Sequence, residues 1–341
     1  MKKPSIHPWF DLGDVAPVID LKTSNDKPKP ITRMAGHTVV VHVAGVNDPA
    51  PTAIAFAAAA AAFADLDAEI FMVRRAKPVQ NRAVEIKLGL GIQLLSDLSG
   101  ALAHNFNLDQ AACATLVFDR TSRLIARVPV TGTPEGHVNA VLATVRDRAT
   151  PEKWCEAPTR QAPVMLIPNV LSLDWCQWLM TLHDHENAPS GFIQQTKNGS
   201  MLTSDAEVKV RRDHVVARDS PLERDIRHIF ERRLIPEIMR TTHSPIQRHE
   251  NFKIVRYTAK EGGHFRPHRD NTSSATQTRR FAVTLNLNTG AYDGGHLVFP
   301  EYGDIGYRPD AGDAVVFSCS LLHEARPVTR GERYVLLAFL H

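Results

Sequence analysis

The sequence is poor in cysteine. Four occur in 341 residues, Cys113, Cys155, Cys176 and Cys319, and none is spaced as Cys-x-x-Cys. This argues against a disulfide framework and a cysteine-based zinc site, and it fits a reducing compartment. Neither sign of charge is in excess: 40 Lys and Arg face 37 Asp and Glu, a formal net charge of +3. With no basic stripe interleaved with aromatics, a nucleic-acid partner is not expected. Residues 207–233 are rich in arginine, but acids alternate with them, so they read as a solvated helix surface. Long apolar runs are also missing. The longest, Ala53 to Ala64, falls short of the ~20 residues a bilayer span needs. The opening MKKPSIHPWF has no apolar stretch of the kind a signal peptide carries. A cytoplasmic location without a membrane partner is expected.

What is present suits two domains. A chain of 341 residues is long for one core. The segment ATPEKWCEAPTRQAPV has three prolines and little periodicity. It divides the chain into residues 1–148, a linker at 149–163, and residues 164–341.

In the first part, TVVVHVAG is a β-branched run typical of a strand buried on both faces, followed by the alanine-rich helix former AIAFAAAAAAFADL. EIFMVRR predicts a parallel strand. LGIQLLSDLSGALAHNFNL predicts a loop and a short helix capped near Ser96 and Asp97. ATLVFDRTSRLIARV is a hairpin and VNAVLATVRDR an amphipathic helix. This order resembles the thioredoxin fold. GDVAPVIDL, LLSDLSGALAHNFNL and ATLVFDRTSRLIARV are similar to segments of its peroxiredoxin branch. That branch needs a low-pKa cysteine at the start of the helix after the first core strand. Here the region reads VNDPAPTAIAF, and no cysteine precedes Cys113. The resemblance therefore implies a redoxin-like domain without peroxidase activity, serving homodimerisation, substrate presentation or partner binding.

The second part begins with two amphipathic helices. One is capped by Ser172 and carries Trp175, Trp178, Leu179 and Leu182 as a core-facing stripe. The other starts at Ser220 and Pro221. From Phe252 the pattern switches to period two. In FAVTLNLN, Phe281, Val283, Leu285 and Leu287 form an apolar face, and Ala282, Thr284, Asn286 and Asn288 a small polar one. Such a strand suits a barrel wall whose inner face lines a cavity. Strands at HLVFP, DAVVFS and RYVLLAFL complete an antiparallel double-sheet jelly roll. His268 and Asp270, two apart, share one face of an extended chain, and His323 arrives from a separate strand. Two histidines and one carboxylate leave open positions on a metal, the pattern of a non-haem iron site.

From Val164 to His341 the residues resemble the iron(II)- and 2-oxoglutarate-dependent oxygenases, in their prolyl 4-hydroxylase-like branch. The matching elements are Tyr257-x-x-x-x-Gly262-Gly263 ahead of His268-Arg269-Asp270, then Tyr292-Asp293-Gly294-Gly295, Gly312-Asp313, His323, and Gly331-Glu332-Arg333-Tyr334. The resemblance implies Fe(II) held by His268, Asp270 and His323. It implies 2-oxoglutarate held by Arg333, with Tyr257 as a hydroxyl donor and Asn286 as a further contact. No catalytic residue beyond the metal site is expected. The activity implied is hydroxylation of an unactivated C–H bond in a peptidyl (prolyl included) or small-molecule substrate. O2 is the oxidant, succinate and CO2 are released, and ascorbate is an optional auxiliary reductant. Two other readings stand beside it: a thiol redox protein acting through the N-terminal part, and a non-catalytic 2-oxoglutarate or oxygen sensor.

Overall fold

The computed structural model describes residues 2–31, 34–45, 50–108, 113–148, 161–196, 199–203 and 205–341. Most of the predicted linker, 149–163, lies outside the described residues. The chain divides into two compact units, one of His7–Cys155 and one of Glu156–His341 together with Met1–Ile6.

The first unit is a six-stranded sheet in the order Lys22–Thr23, Gln93–Ser96, Ala68–Arg74, Thr38–Val43, Ala114–Phe118, Leu124–Pro129. The strand Thr38–Val43 is central and buried along its whole length. It pairs in parallel with Ala68–Arg74 and antiparallel with Ala114–Phe118. A βαβ unit followed by a hairpin and the helix Pro134–Arg148, in this order, is thioredoxin-like. The alanine-rich segment forms two helices, Ala50–Ala58 and Ala60–Ala64. The segment expected to be loop before the short helix contains a further strand, Gln93–Ser96, parallel to Ala68–Arg74. Its run is too short to show periodicity, and its partners come from Ala68–Arg74 on one side and Lys22–Thr23 on the other. The N-cap position of the helix Ala101–Asn105 is Gly100, not Ser96 or Asp97, but the Asp97 carboxylate reaches over it to accept from the backbone N–H groups of Ala101 and Leu102 at 3.0 and 2.8 Å. Cys113 is half-buried, and its Sγ accepts from the Gly45 N–H at 3.0 Å.

The second unit is built from two larger sheets. A seven-stranded sheet runs Met165–Ile167, Ala314–Ser318, Phe281–Asn286, Glu332–Leu340, Lys253–Thr258, Arg212–Val215, Ala188–Pro189. A five-stranded sheet runs Lys209–Val210, His264–His268, His323–Ala325, Leu297–Val298, Gly306–Tyr307. Every pairing in both is antiparallel.

The two faces of Phe281–Asn286 divide as its alternation requires. Phe281, Val283 and Leu285 join Ile226, Ile229 and Phe230 in a core under the helices. Ala282 faces the other way, packing with Val315, Phe317, Leu297 and Phe299. Leu173–His185 is capped by Ser172 and buries Trp175 and Leu179, while Trp178 and Leu182 pack at the core's edge. His183, in the last turn of this helix, is buried, with Nε2 3.1 Å from the Arg212 carbonyl oxygen.

The reading of 207–233 as a solvated helix surface holds only for the helix Pro221–Arg233. Lys209–Val210 and Arg212–Val215 are strands with Arg211 between them, and Lys209 and Arg211 are buried. Alternating charge at period two cannot by itself distinguish a wet helix from a strand facing a polar cavity. Among the described residues, no helix is long and apolar enough to cross a membrane.

The helix Pro221–Arg233 packs its apolar face through Ile226, Ile229 and Phe230, and Ser220 Oγ accepts from the Glu223 N–H at 3.1 Å. Ser220→Ala should therefore lower the stability of this unit by about 1 kcal/mol, read as a lower urea midpoint with an unchanged slope.

Candidate metal centre

His268 ends the strand His264–His268, and the antiparallel register sets it directly across from His323. A bulge between Phe265 and His268 lets both rings face inward, where they stack with centroids 3.5 Å apart. Asp270 is not on the strand, as the two-residue spacing suggested. It lies in the turn beyond, tied by its N–H to the Cys319 carbonyl at 3.0 Å, and this fold-back brings its carboxylate to the histidines. Asp270 Oδ2 is 3.3 Å from His323 Nε2, and Oδ1 is 3.6 Å from His268 Nε2. The ligand-type atoms of the three residues all lie within 4.8 Å of one another.

The hydrogen bonds settle the tautomers. His268 Nδ1 is 2.8 Å from the Arg266 carbonyl oxygen, and His323 Nδ1 is 3.0 Å from that of Leu321. A carbonyl only accepts, so each Nδ1 carries the hydrogen and each Nε2 is left with a lone pair when the ring is neutral. Burial, ahead of its charged neighbours, lowers the His323 pKa and favours that neutral form. For Asp270, burial alone would raise the carboxyl. His323 and His268 in their protonated forms, with Arg279, outweigh it and hold the group at about 2. One ionised carboxylate and two aimed imidazole lone pairs are a donor set that suits a divalent transition metal.

These groups line a cavity of about 390 Å³ between the sheets. Its other wall is the inner face of the seven-stranded sheet. There the register places Tyr257 opposite Arg333, Val255 opposite Val335 and Lys253 opposite Leu337. Arg333 is buried, with its guanidinium carbon 5.4 Å from the centre of the Tyr257 ring. Its Nη2 lies 3.4 Å from Asn286 Oδ1, and its buried Nε has no partner. Two glycines of the sequence pattern make room here. A Cβ on Gly295 (φ +63°) would lie 2.8 Å from Arg333 Cδ, and one on Gly263 would lie 2.6 Å from the Thr258 backbone nitrogen.

Of the residues expected at the site, Tyr257 and Arg333 line the cavity with the three metal-ligand candidates, whereas Asn286 does not. The Asn286 side chain is spent on protein groups: Nδ2 donates to Thr289 Oγ1 and the Pro309 carbonyl, and Oδ1 faces Arg333. Its Oδ1 accepts from the Arg333 guanidinium. Tyr257 Oη accepts from Arg211 Nη1 at 3.1 Å. Three cavity cations escaped the sequence reading, Lys209, Arg211 and Lys253. Only the parity of Lys253 with Tyr257, on the strand predicted at FKIVRY, could have flagged one of them. Arg269 and Arg279 are paired with Glu301 at 2.8 Å and Glu250 at 2.6 Å. His264 has a structural role, its Nδ1 2.7 Å from the Gly262 carbonyl.

Comparison with known proteins gives the following. Residues 252–341 match the family model described as 2OG-Fe(II) oxygenase superfamily. A PKHD-type hydroxylase of Maricaulis maris is 36% identical over 90 residues, covering 26% of this chain and 40% of that protein. A PKHD-type hydroxylase of Pseudomonas putida strain W619 is 34% identical over 94 residues, covering 25% and 42%. The chain thus spans about two fifths of the length of the curated relatives it matches. Among solved structures, Xanthomonas campestris peroxiredoxin Q aligns with a TM-score of 0.38 at 20% identity, over 40% of this chain and 99% of that one. A Pseudomonas putida prolyl-4-hydroxylase aligns with a TM-score of 0.39 at 18% identity, over 54% and 93%. The segment that matches the 2OG-Fe(II) oxygenase superfamily model, residues 252–341, contains His268, Asp270, His323 and Arg333.

Proposed function

We propose that this protein is an Fe(II)- and 2-oxoglutarate-dependent dioxygenase that hydroxylates an unactivated C–H bond of a peptidyl or small-molecule substrate, releasing succinate and CO2. The observation that carries the reading is the convergence of His268, Asp270 and His323 on one point of a cavity whose other wall bears Arg333. In this reading the two facing antiparallel sheets are a double-stranded β-helix, and residues 1–148 form a redoxin-like domain without peroxidase chemistry.

The residues fit the groups they would hold. His268 Nε2, His323 Nε2 and the Asp270 carboxylate would ligate the iron, and each imidazole is fixed in orientation by its backbone carbonyl. The buried, unpartnered Nε of Arg333 is a donor in want of an acceptor, and a guanidinium suits the far carboxylate of 2-oxoglutarate. Bound iron with 2-oxoglutarate supplies dioxygen activation, the cosubstrate being decarboxylated as it is consumed. Val335, Leu337, Phe317 and Phe339 line the same cavity and exclude water from the reacting region. The first unit would serve assembly or substrate selection, with a homodimer through it as one form.

Three outcomes test this. Purified protein given Fe(II), O2 and 2-oxoglutarate should release succinate, whereas His268→Ala and Asp270→Ala should lose stoichiometric iron binding and release at least ~100-fold less, with unchanged far-UV circular dichroism. A folded wild type that neither binds iron nor consumes 2-oxoglutarate would defeat the reading. Arg333→Leu should raise the KM for 2-oxoglutarate by roughly 10- to 100-fold, the worth of a buried charge-assisted hydrogen bond, while iron binding persists. Gly295→Ala should push the Arg333 stem and weaken 2-oxoglutarate in the same direction, with no effect on iron stoichiometry.

A further inference from the structure

The cavity holds more positive charge than the cosubstrate reading uses. Six cations line it: Lys209, Arg211, Lys253, Arg269, Arg279 and Arg333. Three are neutralised by acids at their backs. Arg211 pairs with Asp213 at 2.9 Å, Arg269 with Glu301 at 2.8 Å and Arg279 with Glu250 at 2.6 Å. Among the described residues, no carboxylate lies within ion-pair distance of Lys209, Lys253 or Arg333. Asp270, the one acid in the lining, is committed to the two histidines.

The two lysines are not solvated surface groups. Lys209 is only 7% exposed. Its Nζ donates to the Gly191 carbonyl at 2.5 Å and sits 4.9 Å from the centre of the Phe265 ring, the ring that stacks on His268. An ammonium has three N–H groups, so Lys209 keeps two to offer. Lys253 is half-buried, with Nζ 6.0 Å from the Phe339 ring centre. It lies on the same face of its strand as Tyr257 but four residues away, roughly 13 Å along the chain at ~3.3 Å per residue. Val255 and its cross-strand partner Val335 come between. Lys253 is close enough to bear on the charge of Lys209, so the two form a basic region whose Lys253 end lies away from Arg333. Burial, with Arg211 adding to it, pulls the Lys209 ammonium down to about 6. The empty site therefore favours the uncharged amine near neutral pH, and an anion brought to it restores the ammonium.

We propose that the substrate of this site is a small acid, and that Lys209 and Lys253 receive its carboxylate while Arg333 holds the cosubstrate. The proposal rests on the 2-oxoglutarate reading above and narrows it. A blocked, uncharged prolyl segment would leave both lysines desolvated without a counter-charge, so a peptide interior is the disfavoured substrate.

The test is a binding experiment on the full chain loaded with Fe(II) and 2-oxoglutarate without oxygen. The probes are free L-amino acids and N-acetyl-L-amino acids, each beside its carboxamide, together with a blocked prolyl peptide, followed by thermal shift and calorimetry. At least one acid should bind about tenfold or more tighter than its amide. Lys209→Met and Lys253→Met should each abolish that preference while leaving the thermal shift caused by 2-oxoglutarate unchanged, and Lys209→Arg or Lys253→Arg should restore part of it. Amides that bind as well as acids, acids that all fail to bind, or a preference for the blocked peptide would overturn the proposal. So would methionine variants that keep the preference, or that lose the 2-oxoglutarate response and so place the lysines at the cosubstrate. Because Lys253→Met removes a less buried group than Lys209→Met, it still reports if the latter fails to fold. A wild type with no response to 2-oxoglutarate would bring down the cosubstrate reading as well. A normal response without acid preference would bring down this proposal alone.

Discussion

The C-terminal unit depends on a carboxylate that is buried and yet ionised. Asp270 would be protonated by its surroundings if burial acted alone, and it is held ionised by His323, His268 and Arg279. Each of those partners is fixed from elsewhere: the imidazoles by backbone carbonyls of their own chain segments, Arg279 by Glu250. The strand register then does the assembling. His268 meets His323 because two antiparallel strands put them opposite one another, and the turn after His268 returns Asp270 to both. Loss of any one of these supports would leave a charge in a low-dielectric interior without compensation.

The inner face of the seven-stranded sheet follows from the same demand for space and polarity. Ala282 and Thr284 are small where bulky residues would fill the cavity, whereas the opposite face of that strand carries Phe281, Val283 and Leu285 into the helical core. Gly295 has no side chain because the Arg333 stem passes through the space one would take. The site is thus a matter of where the sequence omits volume as much as of which ligands it supplies.

Much of this was legible in the sequence, for identifiable reasons. Period-two alternation in FAVTLNLN marks a strand with two unlike faces, and the structure divides those faces between core and cavity. Caps at Ser172 and Ser220 locate two helices, because a hydroxyl before an amphipathic run has one common use. His268, Asp270 and His323 could be grouped by residue type and order, although the sequence placed Asp270 on the strand and the structure places it in the turn. The strand at Gln93–Ser96 was invisible because it is four residues long and its hydrogen bonds come from a partner distant in sequence. Lys209 and Arg211 were misread because charge alternation looks alike on a wet helix and on a strand facing a polar interior. Asn286 was assigned to the right wall, but its amide is consumed by Thr289 and Pro309, contacts that no local pattern encodes.

The contact between Arg211 and Tyr257 carries a consequence for the direction of a proton. The guanidinium donates to the phenol oxygen at 3.1 Å, so the oxygen is occupied as an acceptor on that side. Arg211 is itself locked to Asp213 and cannot turn away without stranding that carboxylate. The phenol's own hydrogen must then point elsewhere, and no protein acceptor for it stands among the described residues. An arginine fixed by its own carboxylate thus occupies one side of the Tyr257 oxygen, and the phenol hydrogen is left uncommitted to any of the described protein groups.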